Sequence, residues 1–85
     1  MPYIKKDLRL KFEHALDSIA RADINDAGEL NYLVTMIFRL YCAMHGDCYQ
    51  TFNDVLGAME GSKLEFYRRY ISDYEDEKIN NNGDL

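Results

Sequence analysis

At 85 residues the chain has room for one domain and a modest core, and its 47% hydrophobic and 29% charged residues describe a globular chain rather than a disordered one. Its net charge of −5 argues against the broad electropositive footprint that nucleic acids and anionic membranes require. The longest apolar stretch, residues 33–44, contains Thr35 and Arg39 and is too short to span a bilayer.

The opening Met1-Pro2-Tyr3-Ile4-Lys5-Lys6 has no apolar run behind its lysines, so no secretory signal is expected and a cytoplasmic setting is. In that setting Cys42 and Cys48 are expected as free thiols. The single proline, at position 2, leaves the rest of the chain suited to long helices.

A first helix is predicted over residues 7–23, with Asp7 as N-cap. Leu8, Phe12, Leu16 and Ile19 recur on a 3.6-residue period, and Asn25-Asp26-Ala27-Gly28 breaks it. A second helix opens on a capping box of Asp26 and Glu29. Its buried stripe is expected to be Leu30, Leu33, Val34, Ile37, Phe38 and Tyr41, with His45 in the last turn and Gly46 as terminator. Residues 46–50 read as a connection. A third helix is predicted from Thr51 as N-cap, carrying Phe52, Val55, Leu56, Met59, Leu64, Phe66, Tyr67, Tyr70 and Ile71. Gly57 and Gly61 weaken it, and Ser62 with Glu65 could restart it, but one long helix is the preferred reading. Ser72 and Glu75 open a short acidic helix over residues 73–79, and residues 80–85 form a loose tail. Strand signals are slight. The expected fold is all-α: a single domain, residues 1–85, built as a compact bundle of three main helices plus a short C-terminal helix.

Catalytic and metal-binding patterns are sparse. Cys42 and His45 could share a helical face, but a small packed thiol and a C-terminal helix cap explain them more simply. Cys42, His45 and Cys48 do not match zinc-ligand spacing, and Asp73, Glu75, Asp76 and Glu77 hold no calcium-loop pattern. No glycine-rich phosphate loop is present. No catalytic residue, metal or cofactor is assigned.

Two positive signals remain. Seven tyrosines and four phenylalanines are many for this length, and Tyr32, Tyr67, Tyr70 and Tyr74 lie among polar residues. The run Lys63-Leu64-Glu65-Phe66-Tyr67-Arg68-Arg69-Tyr70 sets cations among aromatic rings. Arginine can fork onto an anion and stack on a ring. Lys63, Tyr67, Arg68, Arg69 and Tyr70 are therefore candidates for holding a small anionic or nucleotide-like ligand, with Asn31 and Tyr32 as polar partners from the second helix. The structural alternative is that Arg68 and Arg69 pair with the acidic segment 73–77. The cluster Lys5, Lys6, Arg9 and Lys11 reads as a solvated face.

Three stretches carry a resemblance: the opening residues 1–6, Gly28-Glu29-Leu30-Asn31-Tyr32, and Lys63-Leu64-Glu65-Phe66-Tyr67-Arg68-Arg69 with the closing Tyr74-Glu75-Asp76-Glu77-Lys78-Ile79 and Asn82-Gly83-Asp84. On these the chain resembles a family of small uncharacterised proteins found mainly in phages, prophages and bacteria. The Gly61-Ser62 pair departs from that pattern. The resemblance carries no activity. It implies a phage-type protein of the host cytoplasm, of the kind that interacts with host factors or counters defence, in some cases as an oligomer that sequesters a nucleotide signal. Two functions follow as expectations. One is a homo-oligomer that binds an anionic ligand. The other is an adaptor or inhibitor that docks on a host or phage protein.

Overall fold

Helix is what this sequence favours locally, and helix is what forms. The computed structural model describes residues 4–85, and among them there is no strand. The chain is all-α, as expected. It divides into two compact units, residues 1–40 and 41–85. Met1-Pro2-Tyr3, which opens the first of the resembling stretches and contains the proline, lies outside the described residues.

In the first unit, the expected helix over residues 7–23 is wound in two ways. Lys6–Phe12 forms a 3-10 turn and Glu13–Ala22 an α-helix, α1. The expected cap at Asp7 is not used. Lys5, extended at ψ 152°, precedes the turn and makes no side-chain cap bond, because an ammonium offers no acceptor. Three-residue winding eclipses positions three apart, so Leu8 and Phe12 do not share a face before α1 begins. α1 ends on Asp23, whose φ of 63° is left-handed. Aspartate is among the few L-residues that tolerate this region.

The break before α2 is shorter than the sequence suggested. α2 runs Ala27–His45, so Ala27 and Gly28 are helical. Asp26 is its cap, with Oδ1 accepting the Glu29 N–H at 2.8 Å. Gly46, at φ +87°, ends it by donating its N–H to the Cys42 carbonyl at 2.8 Å. Here the sequence signals and the structure agree.

In the second unit, the connection is only residues 46–48. α3 spans Tyr49–Phe66, with Cys48 rather than Thr51 at its N-cap position. Gly61 and Ser62 do not interrupt it. The Ser62 hydroxyl donates back to the Ala58 carbonyl at 2.7 Å, which absorbs the polar group within the helix. The irregularity falls later. Tyr67–Ile71 is a π segment, in which the Ser72 N–H reaches the Tyr67 carbonyl five residues back. α4 follows without a break over Ser72–Asn82. Asn80, Asn81 and Asn82 are therefore helical, not tail. The stop comes at Gly83, at φ +85°, whose N–H donates to the Ile79 carbonyl.

The expected buried stripes are not buried. Among the described residues no apolar side chain is buried, and so neither unit by itself encloses an apolar core. Leu30, Val34 and Ile37 of the α2 stripe are exposed, while Leu33, Phe38 and Tyr41 are half-buried. Phe12, on the expected stripe of the first helix, and Phe52 and Phe66 of α3 are also exposed. Among the described residues the single buried one is Thr51. The apolar periodicity is real, but nothing within either unit covers it. Among the described residues no helix is long and apolar enough to cross a membrane.

Candidate functional site

The aromatic-basic run occupies the end of α3 and the π segment. Lys63 lies one turn before Tyr67, and its Nζ is 3.6 Å from Glu60 Oε1. The Arg69 guanidinium pairs with Glu65, one turn back. Tyr70 stacks on Phe66, with ring centroids 5.0 Å apart and planes inclined by 23°. The Tyr67 hydroxyl donates to both carboxylate oxygens of Glu75, at 2.9 and 3.0 Å.

The π segment makes that last bond possible. Each α-helical residue advances about 100°. Residues eight apart therefore sit about 80° out of line, whereas residues seven apart nearly eclipse. The surplus residue of a π turn lets position 75 fall where position 74 of an unbroken α-helix would stand, above Tyr67. Glu75 was not legible as Tyr67's partner from spacing alone. The contact holds the Tyr67 phenol above its ordinary pKa, because ionisation would lose the donated hydrogen bond and then set phenolate against carboxylate.

The structural alternative for the two arginines thus takes a different form. Arg69 turns to Glu65, not toward residues 73–77, and it is Tyr67 that reaches the acidic segment. Arg68 makes no ion pair among the described residues, although it follows Tyr67 directly on the π segment. Further along, Lys78 Nζ lies 5.3 Å from the centre of the Tyr74 ring.

The two candidates on α2 belong to the first unit. Asn31 is engaged within its own helix. The Thr35 hydroxyl donates to its backbone carbonyl at 2.8 Å and lies 3.3 Å from its Oδ1. Tyr32 edges an open recess of about 470 Å³ at the turn between α1 and α2. Asp23, Asp26 and Glu29 share that recess, so its field disfavours an anion. The aromatic-basic cluster therefore rests on Lys63, Tyr67, Arg68, Arg69 and Tyr70.

Two polar groupings escaped sequence reasoning. The Tyr41 hydroxyl donates to Asp54 Oδ2 at 3.0 Å, while Gln50 Nε2 donates to Asp54 Oδ1 at 2.8 Å. This ties the last turns of α2 to the start of α3. The bond to Asp54 also raises the Tyr41 pKa. Cys48 Sγ lies 3.3 Å from the Thr51 hydroxyl. Hydrogen bonding from that hydroxyl, and then from the Thr51 backbone N–H, lowers the Cys48 thiol pKa. A cysteine three residues before a threonine at a helix start was the available signal.

Cys42 and His45 are not joined by a hydrogen bond among the described residues. The His45 ring sits instead against Tyr41, with centroids 4.2 Å apart. Both cysteines are free, Cys42 half-buried and Cys48 exposed. Among the described residues no three histidine, cysteine or acidic side chains converge as metal ligands.

No curated protein and no solved structure matches the chain. One family model does, over residues 1–85, and it is described as a domain of unknown function, DUF6899. With its whole length matched, the chain belongs to that family.

Proposed function

We propose that the protein is a non-enzymatic, phage-type binding protein that sequesters a small anionic, nucleotide-like ligand as a homo-oligomer, acting against a host defence signal in the host cytoplasm. The observation that carries this is Arg68. It is a cation on the π segment without an ion pair among the described residues, beside Tyr67 and the Phe66–Tyr70 stack. An anion bound there replaces carboxylates already in place. Its oxygens take the position of Glu75 on the Tyr67 hydroxyl and of Glu65 on the Arg69 guanidinium, while Arg68 adds charge and the tyrosine rings offer stacking faces. A binding rather than a catalytic role is supported by His45, whose ring sits against Tyr41 and makes no hydrogen bond to Cys42 among the described residues.

Calorimetric titration with cyclic dinucleotides and ADP-ribose derivatives tests the reading. Binding that weakens at least about tenfold in Arg68→Ala supports it. No heat from any of these compounds, at concentrations well above micromolar, refutes it.

A second reading is favoured by the exposed rings of Tyr32, Tyr49, Tyr70 and Tyr74. They suit an adaptor or inhibitor that docks on a host or phage protein. A stoichiometric protein partner whose capture survives Arg68→Ala and Arg69→Ala selects this reading over the first.

A further inference from the structure

The surplus residue of the π segment decides which side chain covers the Tyr67 hydroxyl. In an unbroken α-helix that place belongs to Tyr74, seven positions on. The π turn gives it to Glu75 and leaves Tyr74 against Lys78, whose Nζ lies 5.3 Å from the ring centre. A carboxylate therefore stands where a second ring would have stood.

Glu75 is engaged unlike Glu60 and Glu65 before it. Glu60 pairs with Lys63, and Glu65 with Arg69. Glu75 has no basic partner among the described residues, although Lys78 follows within one turn. Both of its oxygens instead accept from the one Tyr67 hydroxyl, at 2.9 and 3.0 Å. A small anion sits on a single donor in the same way. Tyr67 is 46% exposed, so the contact lies at the surface, where water and solutes can exchange for it.

Such a contact acts on any anion that needs the same hydroxyl. The carboxylate is tethered eight residues away, so it is present at every ligand concentration. An incoming anion finds the donor free only in the fraction of molecules whose Tyr67–Glu75 contact is open, and its apparent affinity falls by that fraction. Once bound, it also faces the released carboxylate as a like charge. Every ligand that uses the hydroxyl is weakened alike, so the effect is a threshold and not a preference. An anion held mainly by Tyr67 falls below it. A ligand that also reaches Arg68 and lies on the Tyr70 ring keeps the affinity of contacts that Glu75 does not contest.

We infer that Glu75 is a built-in competitor for the anion site, holding the Tyr67 hydroxyl until a ligand with further contacts displaces it. This role rests on the anion-binding reading of the proposed function, at the same site.

The test is calorimetric titration of the full-length chain with inorganic pyrophosphate and with ADP-ribose, which adds an adenine ring to the same anion. Glu75→Ala is expected to bind both about fivefold more tightly than the native chain, the size of one modest hydrogen bond. Asp76→Ala removes the same charge one residue on and is expected to gain less than about twofold. Tyr67→Phe removes the contested donor from ligand and competitor together, and is expected to stay within about twofold of native. In the Tyr67→Phe background, Glu75→Ala is then expected to gain no more than Asp76→Ala does. Far-UV circular dichroism checks that each variant keeps its helix. If Glu75→Ala does not, Glu75→Gln, which keeps the length of the side chain and drops its charge, takes its place. Binding seen only once Glu75 is replaced supports both the competitor and the site. A Glu75→Ala chain that binds no more tightly than Asp76→Ala overturns the inference, and so does a gain that persists in full without the Tyr67 hydroxyl. Both of those outcomes leave the anion site standing. No heat from either probe with any chain overturns the site and the competitor together.

Discussion

Asp26 is a single side chain through which the start of α2 can be weighed. Its Oδ1 accepts the Glu29 N–H at 2.8 Å, and its charge faces the positive end of a 19-residue helix. Losing a cap acceptor of this kind costs about 1 kcal/mol, within a range of roughly 0.5–2. Losing the charge alone costs about 0.3–1 kcal/mol at an exposed helix end. Asp26→Asn keeps an acceptor oxygen and removes only the charge, so it should sit at the smaller figure. Asp26→Ala removes both and should lose about 1–2 kcal/mol. For a chain of this size each kcal/mol moves the midpoint by about 4–8 °C, so Asp26→Ala should melt roughly 5–15 °C lower. Thermal and urea unfolding followed by far-UV circular dichroism, with all variants at one protein concentration, measures both. An asparagine variant as damaged as the alanine variant would show that the acceptor contributes nothing. An alanine variant within about 0.3 kcal/mol of native would show that the cap does not hold the helix.

Three other outcomes are open to measurement. Gly46→Ala should destabilise by about 1–2 kcal/mol in urea, because the cost lies wholly in a φ of +87° with open space around the added methyl group; Gly57→Ala, inside α3 and equally unobstructed, should stabilise by about 0.5–1 kcal/mol. The Tyr67 phenol should titrate above its ordinary value in ultraviolet absorbance, and Glu75→Gln should bring it down. Because the folded-state pKa is the raised one, the stability tied to Tyr67 is complete below pH 10 and lost as pH rises through the folded value, and Tyr67→Phe should flatten that decline. Iodoacetamide should modify Cys48 faster than Cys42 near neutral pH, and Thr51→Ala should slow the Cys48 reaction; equal rates at the two thiols would contradict the Thr51 contact.

The parts of the fold that were legible in the sequence are those fixed by one or two residues with a strong local rule. Asp26 ahead of Glu29 marked the start of α2, and Gly46 marked its end, because an acceptor at one and a positive φ at the other are tied to residue type. The 3-10 winding of Lys6–Phe12 was not legible, since shifting a hydrogen bond by one residue leaves the polar and apolar composition untouched. The π segment escaped for the same reason. Asn80, Asn81 and Asn82 looked like a stop because asparagine favours caps, yet Gly83 alone carries the conformation that ends α4. At the candidate site, the sequence brought Lys63, Tyr67 and Tyr70 onto neighbouring turns but could not show that Tyr67 is engaged by Glu75. The apolar stripes were visible as a pattern. Their covering was not, since a stripe records that a face seeks apolar contact and not what supplies it.

The single surplus residue in Tyr67–Ile71 sets the angular phase between the two ends of the helical run over residues 49–82. Substitutions on either side can alter what each end displays, but they leave the ends in step. A one-residue deletion within the segment would act differently. It would take up the π turn and leave plain α-helix with Glu75 seven positions after Tyr67 and still above it, whereas a residue deleted from the α-helix between Ser72 and Glu75 would turn Glu75 about 100° off Tyr67 with no side chain on either partner changed. Chain length at this point therefore works as a setting in its own right, one that scanning mutagenesis by replacement alone would never move.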